Sequence, residues 1–470
     1  MKNKKTLAIV FSVGIGTFMS SLDSSIVNLA MPLIKSDFGI SLSMVEWIVT
    51  AYLLIVSSLM LTYGRLSDLY GHKKVYSTGF IIFLAGSLLC GLSFNIEMLI
   101  VCRVIQALGA GMLFSTGPAI ITESVPPTSR GKALSITAIA VALGLCIGPV
   151  IGGTLSTFFG WQSIFFINIP IGLLGIFMVR KNIPKDMNRA YVPFDVAGSF
   201  LIFIALFVIL LPLSISGDYN IPTALFVSLL AAGVLIIVFF IYYEKKCSYP
   251  MLNISLFKNR VFSFSNVAAL FTYMAQFIMV FLAPFYLENL RGYSALLSGM
   301  LYLPMPLATM CIAPISGYIS DRFDSRYISS CGDLIMACGL FMLSFLNINT
   351  SIAYTVVSMV ITGIGFGMFQ TPNNSAIMGN VPPENRGTAS GTLATMRNIG
   401  MAIGVALSGA LFSFYQNKAA KTLAVQGQSG TVLKNSAFTH ALHITFIASV
   451  IVAFVAMIAS LNKGKVKVEK

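Results

Sequence analysis

Long apolar stretches recur along the whole chain, and short segments that carry most of the charged residues separate them. Each stretch is close to the roughly 20 apolar residues that one helical crossing of a bilayer needs. Gly and Pro interrupt several of them, which transmembrane helices tolerate when neighbouring helices satisfy the backbone. The pattern predicts an all-α polytopic membrane protein with fourteen transmembrane helices, near residues 7–33, 45–64, 75–94, 98–119, 131–157, 162–180, 195–213, 221–243, 262–287, 295–319, 327–346, 352–373, 387–414 and 441–461.

Composition agrees with this pattern, since 56% of the residues are hydrophobic and only 10% are charged, against about 25% charged in soluble domains. The net charge of +14 reflects topology rather than a nucleic-acid partner. With the N-terminus inside, 23 of the 30 Lys and Arg residues fall in cytoplasmic segments and 5 in outer segments, which is the positive-inside bias. We therefore expect a multi-pass protein of the cytoplasmic membrane with both termini in the cytoplasm.

An internal repeat divides the chain. The segment VPPTSRG at 125–131 recurs as VPPENRG at 381–387, 256 residues later, and GAGM at 109–112 corresponds to GFGM at 365–368. Such repeats are typical of secondary transporters that alternate access around a central site. The offset leaves room for one extra helical hairpin. The predicted organisation is an N-terminal six-helix half at 1–190, an inserted two-helix hairpin at 191–245 and a C-terminal six-helix half at 246–470.

Six sequence motifs resemble those of a known transporter family. The segment GRLSDLYGHKK at 64–74 resembles the loop signature of the major facilitator superfamily, RVIQALG at 103–109 resembles its arginine-containing partner, and GLCIGPVIGG at 144–153 resembles the motif typical of its antiporters. Three further stretches, at 22–32, 47–52 and 160–172, resemble the fourteen-helix drug/proton antiporters of that superfamily. The resemblance covers the whole chain and implies the major facilitator fold and proton-coupled multidrug efflux.

The chain departs from the family pattern in three places. Gln162 and Ser163 follow Trp161 where an Arg-Trp pair is common, and Glu46 stands where a neutral polar residue is usual. The second loop copy begins GYISD at 317–321 but lacks the terminal Gly and basic pair. This last departure raises the question of whether both halves gate with equal strength.

Ionisable residues inside predicted spans are functional candidates, because isolated charge is costly in lipid. Asp23 in the first helix and Arg103 in the fourth fall at a similar depth. A neighbouring arginine favours a charged carboxylate whereas burial favours a protonated one, so we hypothesise that Asp23 carries the coupling proton and Arg103 tunes it. Glu46 is the next acid considered for this role. The alternative is a static Asp23–Arg103 ion pair that only holds two helices together.

Helical geometry leaves the orientation of Asp23 open. At about 100° per residue, Ser21, Ser25, Asn28 and Pro32 share one face of the first helix while Asp23 points to nearly the opposite side. That helix must therefore be packed in protein, or face water, on two faces. Further cavity candidates are Asn28, Gln106, Arg397 and Asn398; for Arg397, snorkelling or a hydrogen bond to a backbone carbonyl are equal alternatives.

The loop signature predicts a cytoplasmic gate. Gly64 and Gly71 permit close backbone approach and a tight turn, and Arg65 with Asp68 is predicted to form an ion-pair latch. Asp321 and Arg322 form its second copy. The alternative for this basic loop is simple topological anchoring.

In the fifth helix, three glycines four residues apart lie on one face beside a proline, which predicts a close, bent helix contact that seals or hinges the two halves; plain helix packing is the alternative. These residues are Gly144, Gly148, Pro149 and Gly152.

No ATP-binding loop and no soluble domain long enough for an enzyme active site are found in the sequence, and no residue pattern indicates a metal site. We therefore predict a non-enzymatic, monomeric exporter without cofactors, coupled to the proton gradient, that exchanges protons for lipophilic and cationic drugs or toxic compounds. The alternatives are a dedicated proton-coupled transporter of one physiological solute and a non-transporting membrane receptor or assembly protein.

Overall fold

The computed structural model describes residues 4–40, 42–126, 129–184, 193–215, 222–250, 252, 254–293, 295–426 and 429–464. These residues form helices and connecting turns without a strand. In lipid an apolar segment must satisfy its backbone groups internally, and a helix does so. The helices are α1 Lys4–Phe38, α2 Leu42–Tyr70, α3 His72–Gly91, α4 Ile96–Ser124, α5 Arg130–Phe159, α6 Ser163–Phe166, α7 Asn168–Asn182, α8 Val196–Ile215, α9 Thr223–Glu244, α10 Arg260–Phe285, α11 Ala295–Tyr302, α12 Pro304–Ser320, α13 Ser325–Ser344, α14 Ile352–Gly379, α15 Arg386–Val425 and α16 Gly430–Asn462.

Twelve helical segments among the described residues are long and apolar enough to cross a membrane, and Val196–Pro212 is a shorter apolar helix. The helix α5 occupies the predicted span at 131–157. The all-helical polytopic fold is therefore confirmed, and the number of crossings lies near the predicted fourteen.

Local sequence explains several helix ends. Asn95 precedes α4, and its side chain accepts a hydrogen bond from the Met98 amide at 2.7 Å, as an N-cap does. Gly71 joins α2 to α3 with φ of 100°, which favours glycine. In the second half Asp324 caps α13 by accepting from the Arg326 amide at 2.9 Å.

The described chain forms two compact units by its internal contacts. Unit 1 comprises the described residues of Met1–Phe262 together with Ile377–Thr395, and unit 2 comprises those of Ser263–Ala376 and Met396–Val468. In unit 1 the hairpin α8–α9 packs together and α8 contacts α2. The division into two six-helix halves and an inserted hairpin stays a prediction.

Each unit has its own apolar core. In unit 1 aromatic side chains of α3, including Tyr76, Phe80 and Phe83, are fully buried among residues of α1, α2, α4 and α5. In unit 2 the core lies between α10, α13 and α16, around Met279, Leu340 and Phe446. The candidate site is built from buried polar groups that lie in the same units as these cores.

Candidate functional site

A buried ion pair lies within unit 1. Arg103 Nη1 of α4 donates to Asp23 Oδ2 of α1 at 2.7 Å. The two residues are 1% and 0% exposed. A buried pair of this kind is stable only when its remaining hydrogen-bonding groups are also satisfied, so the neighbours of both residues decide what the pair can do.

Three amide and hydroxyl side chains complete this network. Gln106, one turn after Arg103, donates to Asp23 Oδ1 at 2.9 Å and to Ser87 Oγ at 2.7 Å, while its Oε1 accepts from Arg103. Asn168 at the start of α7 donates to Asp23 Oδ1, also at 2.9 Å. Helices α1, α4 and α7 therefore meet at one carboxylate, and α3 joins the network through Ser87.

Arg103 also makes two contacts with α2. Its Nε donates to the carbonyl of Ile48 at 3.2 Å, and its guanidinium carbon lies 4.1 Å from the centroid of the Tyr52 ring. Both partners belong to α2. Such a cation–π contact stabilises a desolvated arginine, so the cation is held on one side by the carboxylate and on the other by an aromatic face.

Helix α1 is packed in protein on two faces. Asp23 points to α4, while Gly144, Gly148 and Gly152 of α5 lie against the other face. A Cβ at Gly144 would come within 2.8 Å of the Leu22 amide nitrogen, and Ser25 Oγ donates to the Gly144 carbonyl at 3.1 Å. These three glycines therefore contact α1 inside unit 1. The prediction that they form a contact between the two halves is wrong.

The loop signature brings Asp68 to the first residues of α15, more than 300 residues further along the chain. The amide of Gly387 donates to Asp68 Oδ1 at 2.6 Å, and the amide and hydroxyl of Thr388 donate to Oδ2 at 2.7 and 2.6 Å. A carboxylate at a helix N-terminus is favoured by the free amides and by the helix dipole. Asp68 is therefore bonded to α15, while its predicted latch with Arg65, which lies half-buried on α2, stays a prediction.

Glycines allow α2 and α15 to approach at this point. A Cβ on Gly64 would overlap the carbonyl oxygen of Gly387, and a Cβ on Gly391 would lie 2.6 Å from the Met60 carbonyl oxygen. His72 lies beside the contact, with Nδ1 3.1 Å from Ser67 Oγ and Nε2 3.6 Å from Glu123 Oε2. The backbone contact leaves no room for larger residues.

The second copy of the loop signature has a different environment. Asp321 follows α12 and is half-buried, and Arg322 is exposed with its guanidinium carbon 4.3 Å from the Tyr318 ring centroid. In the first copy, by contrast, Asp68 is only 4% exposed. The two copies are thus structurally unequal.

Arg397 of α15 lies over Tyr273 of α10 in unit 2, with the guanidinium carbon 4.6 Å from the ring centroid. The Tyr273 hydroxyl accepts from Gln370 Nε2 at 2.8 Å, and its ring contacts Phe366 edge-on at 5.1 Å. Asn398, the adjacent candidate, is half-buried. The aromatic contact is neither of the two alternatives considered for Arg397.

Unit 2 contains a buried acid, Asp333, that was not among the predicted site residues. Asp333 is fully buried and accepts from the hydroxyls of Thr272 and Ser460, each at 2.8 Å. Lys463, just beyond α16, is also buried and donates to Ser329 Oγ at 3.0 Å. Burial lowers the pKa of Lys463 to about 7, although nearby Asp333 acts in the opposite direction.

Three of the predicted site residues have no described side chain. The side chains of Asn28, Glu46 and Pro149 lie outside the described residues. Among the described residues no group of three or more His, Cys, Asp and Glu side chains is placed to hold a metal ion. The predicted absence of a cofactor stays a prediction.

Sequence reasoning found Asp23, Arg103, Gln106 and Asp68 but missed several of their partners. Asn168 belongs to the motif at 160–172 and is a polar residue within a predicted span, so the sequence marked it as a candidate. Tyr52 likewise ends the motif at 47–52, whereas Ser87 and Thr388 carried no such signal, because serine and threonine are frequent in helices of this kind.

Comparisons with known proteins agree with this architecture. The family model described as Major Facilitator Superfamily matches residues 13–405. "Riboflavin transporter RibZ" of Clostridioides difficile is 38% identical over 417 residues, covering 88% of this chain and 89% of the relative. "Multidrug transporter protein MdtP" of Bacillus subtilis is 32% identical over 413 residues, covering 88% and 76% respectively.

A solved structure shows the same fold. The human organic anion transporter MFSD10 superposes with a TM-score of 0.64 at 12% identity, covering 96% of this chain and 100% of that chain. At this identity the likeness bears on the fold alone. The family match over most of the chain agrees with the helical fold and the loop signature described above. This chain is a membrane transporter, not an enzyme, and belongs to the major facilitator superfamily.

Proposed function

We propose that this protein is a proton-coupled antiporter that exports small organic compounds across the cytoplasmic membrane by alternating access, with both termini in the cytoplasm. The observation that carries the proposal is the Asp23 carboxylate, fully buried at membrane depth and held by Arg103, Gln106 and Asn168. Intramembrane acids with a defined partner mark proton pathways in transporters.

Protonation of Asp23 would change the whole network. A neutral carboxyl group no longer balances the charge of Arg103, and one of its oxygens becomes a donor. The donors Gln106 and Asn168 would then compete with that proton. Because the network joins α1, α3, α4 and α7, gaining or losing a proton favours different arrangements of these helices, which is what coupling requires.

Asp68 has the role of a gate in this proposal. Its hydrogen bonds to Gly387 and Thr388 hold α2 against the start of α15. Release of three charge-assisted hydrogen bonds would free this end of α15. We propose that the contact closes the cytoplasmic side and that its release opens the inward-facing state.

Two substrate classes follow from different observations. Similarity to a multidrug transporter supports export of lipophilic, cationic drugs. Similarity to a riboflavin transporter supports the second candidate, a dedicated transporter of one physiological solute with a polar conjugated ring. A competition profile separates them, since a dedicated transporter shows one preferred compound.

Proton movement in liposomes tests the coupling. Purified protein is reconstituted with a pH-sensitive dye inside, and ethidium or riboflavin is added to wild type, Asp23→Asn and Glu97→Gln. Glu97 is exposed in the first turn of α4, so its substitution removes an acid without touching the network. We expect substrate-driven proton flux in wild type and Glu97→Gln, and none in Asp23→Asn.

Other outcomes decide between the alternatives. Equal proton flux in Asp23→Asn would move the coupling to Glu46 or another acid. Substrate movement without proton flux would contradict antiport, and the absence of both would favour a non-transporting membrane protein. A static ion pair is indicated if the double variant Asp23→Asn/Arg103→Gln regains proton flux that Asp23→Asn has lost.

A further inference from the structure

Tyr273 joins three helices of unit 2. It belongs to α10, its hydroxyl accepts from Gln370 of α14, and Arg397 of α15 lies over its ring. It is only 3% exposed. The ring is therefore fixed by its neighbours, which preorganises an aromatic wall with a cation on its face.

Close packing fixes the helix that carries Arg397. A Cβ on Gly404 of α15 would come within 2.5 Å of the Met274 carbonyl oxygen, and Gly400 is likewise in backbone contact with Leu270. Both partners lie on α10 beside Tyr273. The backbone position of Arg397 is thus set by close helix contacts at the two turns that follow it on α15.

Arg397 has no acidic partner in the described part of the chain. Its contact there is the face of Tyr273, and its side chain is half-buried. It lies about 17 Å along α15 from Arg386, at 1.5 Å per residue, which is near the middle of a hydrocarbon core about 30 Å thick. A guanidinium at that depth has five donors and needs acceptors.

Gln276 supplies the complementary group. It lies one turn after Tyr273 on the same face of α10 and is 1% exposed. Its Nε2 contacts the Met305 sulfur at 3.7 Å, but its Oε1 is buried without a hydrogen-bond donor in the described structure. A buried carbonyl without a donor is costly. A ligand that brings a donor for Gln276 Oε1 and acceptors for Arg397 would satisfy both side chains.

We propose that Arg397, Tyr273 and Gln276 form a substrate subsite for a planar conjugated molecule that is uncharged or anionic, with acceptor oxygens for Arg397 and an N–H for Gln276. The ring stacks beside Tyr273 and Phe366. The free positive charge of Arg397 disfavours organic cations. The subsite rests on the proposed transport function, and it replaces the expected lipophilic cation with a flat, polar, non-cationic ring.

Equilibrium binding tests the subsite without a proton gradient. Fluorescence titrations in lipid nanodiscs use three planar probes that differ in charge: riboflavin, flavin mononucleotide and ethidium. The proteins are wild type, Arg397→Gln, Arg397→Lys and Lys418→Gln, the last removing the same charge from an exposed position on α15. Size-exclusion chromatography confirms that each variant is folded.

We expect wild type and Lys418→Gln to bind both flavins more tightly than ethidium. In Arg397→Gln flavin binding should weaken by about tenfold or more, since a hydrogen bond to a charged group is lost, and ethidium binding should not weaken. The flavin affinity of Arg397→Lys should lie between those of wild type and Arg397→Gln. Preference of the wild type for ethidium, flavin binding in Arg397→Gln within twofold of wild type, or no flavin binding at all would overturn the subsite.

The two proposals can fail separately. Flavin binding that depends on Arg397, with no proton flux in liposomes, would uphold the subsite and contradict the proposed coupling. Proton flux driven by ethidium, with no flavin binding that depends on Arg397, would do the reverse.

Discussion

The two intramembrane arginines have the same aromatic partner type and opposite electrostatic surroundings. Arg103 lies 4.1 Å from the Tyr52 ring and Arg397 lies 4.6 Å from the Tyr273 ring. Arg103 is also bound to the Asp23 carboxylate at 2.7 Å, whereas Arg397 has no acid among the described residues. One cation is neutralised and the other is not.

This difference separates two tasks that a transporter must perform. A neutralised, fully hydrogen-bonded pair has little to offer a ligand, but it responds to a proton because the proton removes the balance of charge. A cation without a counter-ion responds to a ligand that brings acceptors. We therefore assign proton coupling to unit 1 and substrate selection to unit 2, and the following experiments test that assignment.

The largest effect is expected from Asp23→Asn, which makes the surroundings of Arg103 resemble those of Arg397. Leaving a buried charge without its partner costs about 3–5 kcal/mol, so the melting temperature should fall, and proton-coupled transport should fall by at least about 100-fold. Arg103→Gln in the same background should recover part of the stability. A variant with unchanged stability and transport would contradict the comparison.

Gly64→Ala should have the next largest effect, through the proposed gate of unit 1. The added methyl group overlaps the Gly387 carbonyl, and such overpacking costs about 1–3 kcal/mol. Gly409→Ala on α15 is the matched control, since nothing lies within 4 Å of its Cβ. The melting temperature and the uptake of substrate into inverted vesicles are measured for both variants. Equal behaviour of the two variants would show that the close contact is dispensable.

Gln370→Glu should make unit 2 more like unit 1. It places an acid at the Tyr273 hydroxyl, on the ring that Arg397 covers. We expect the ratio of flavin affinity to ethidium affinity to fall by about tenfold, measured by the same titrations. Gln370→Leu removes the hydrogen bond without adding charge, and an equal change in that variant would exclude an electrostatic cause.

A smaller, pH-dependent effect is expected from Lys463. Its pKa in the folded protein is about 7, below the ordinary value of 10.5, so between these values the unfolded chain binds more protons and stability rises with pH. Below about pH 7 both states are protonated and the full cost of burial remains. We expect a gain of about 1 kcal/mol between pH 7 and 8, seen as a rising melting temperature.

The variant Lys463→Met should lack this part of the pH dependence, and Lys418→Met should keep it. A rise of the same size in Lys463→Met would assign the pH dependence to other groups. Since Asp333 lies in the same buried cluster, this result also indicates whether unit 2 carries a pH-sensitive site of its own.

Much of the fold was predictable because lipid restricts the choices. Long apolar segments, the positive-inside bias and the repeated loop signature predict helices and their approximate number. The meeting of Asp23 with Arg103 followed from their similar depth, since charges in lipid need partners. These inferences rest on depth along the membrane, which helical rise fixes well.

The remaining features depend on lateral packing, which depth does not determine. Nothing in the residues around Asp68 indicated that its partners would be backbone amides of Gly387 and Thr388. The glycines of α5 predicted a close contact but not that α1 would be the partner. Asp333 lies in the first half of α13, and the sequence did not indicate that Thr272 of α10 and Ser460 of α16 would bind it.

Asp68 binds the start of α15 mainly through backbone amides, so the contact depends little on which side chains stand there. Of the three hydrogen bonds that Asp68 accepts from Gly387 and Thr388, two come from amides that every residue except proline provides, and the third comes from the Thr388 hydroxyl. At position 387 the constraint is therefore one of size, because a Cβ there would lie 2.7 Å from Asp68 Oδ1. In a library randomised at 387 and 388 and selected for export, we expect glycine alone to survive at the first position, while the second accepts serine readily and tolerates many other residues.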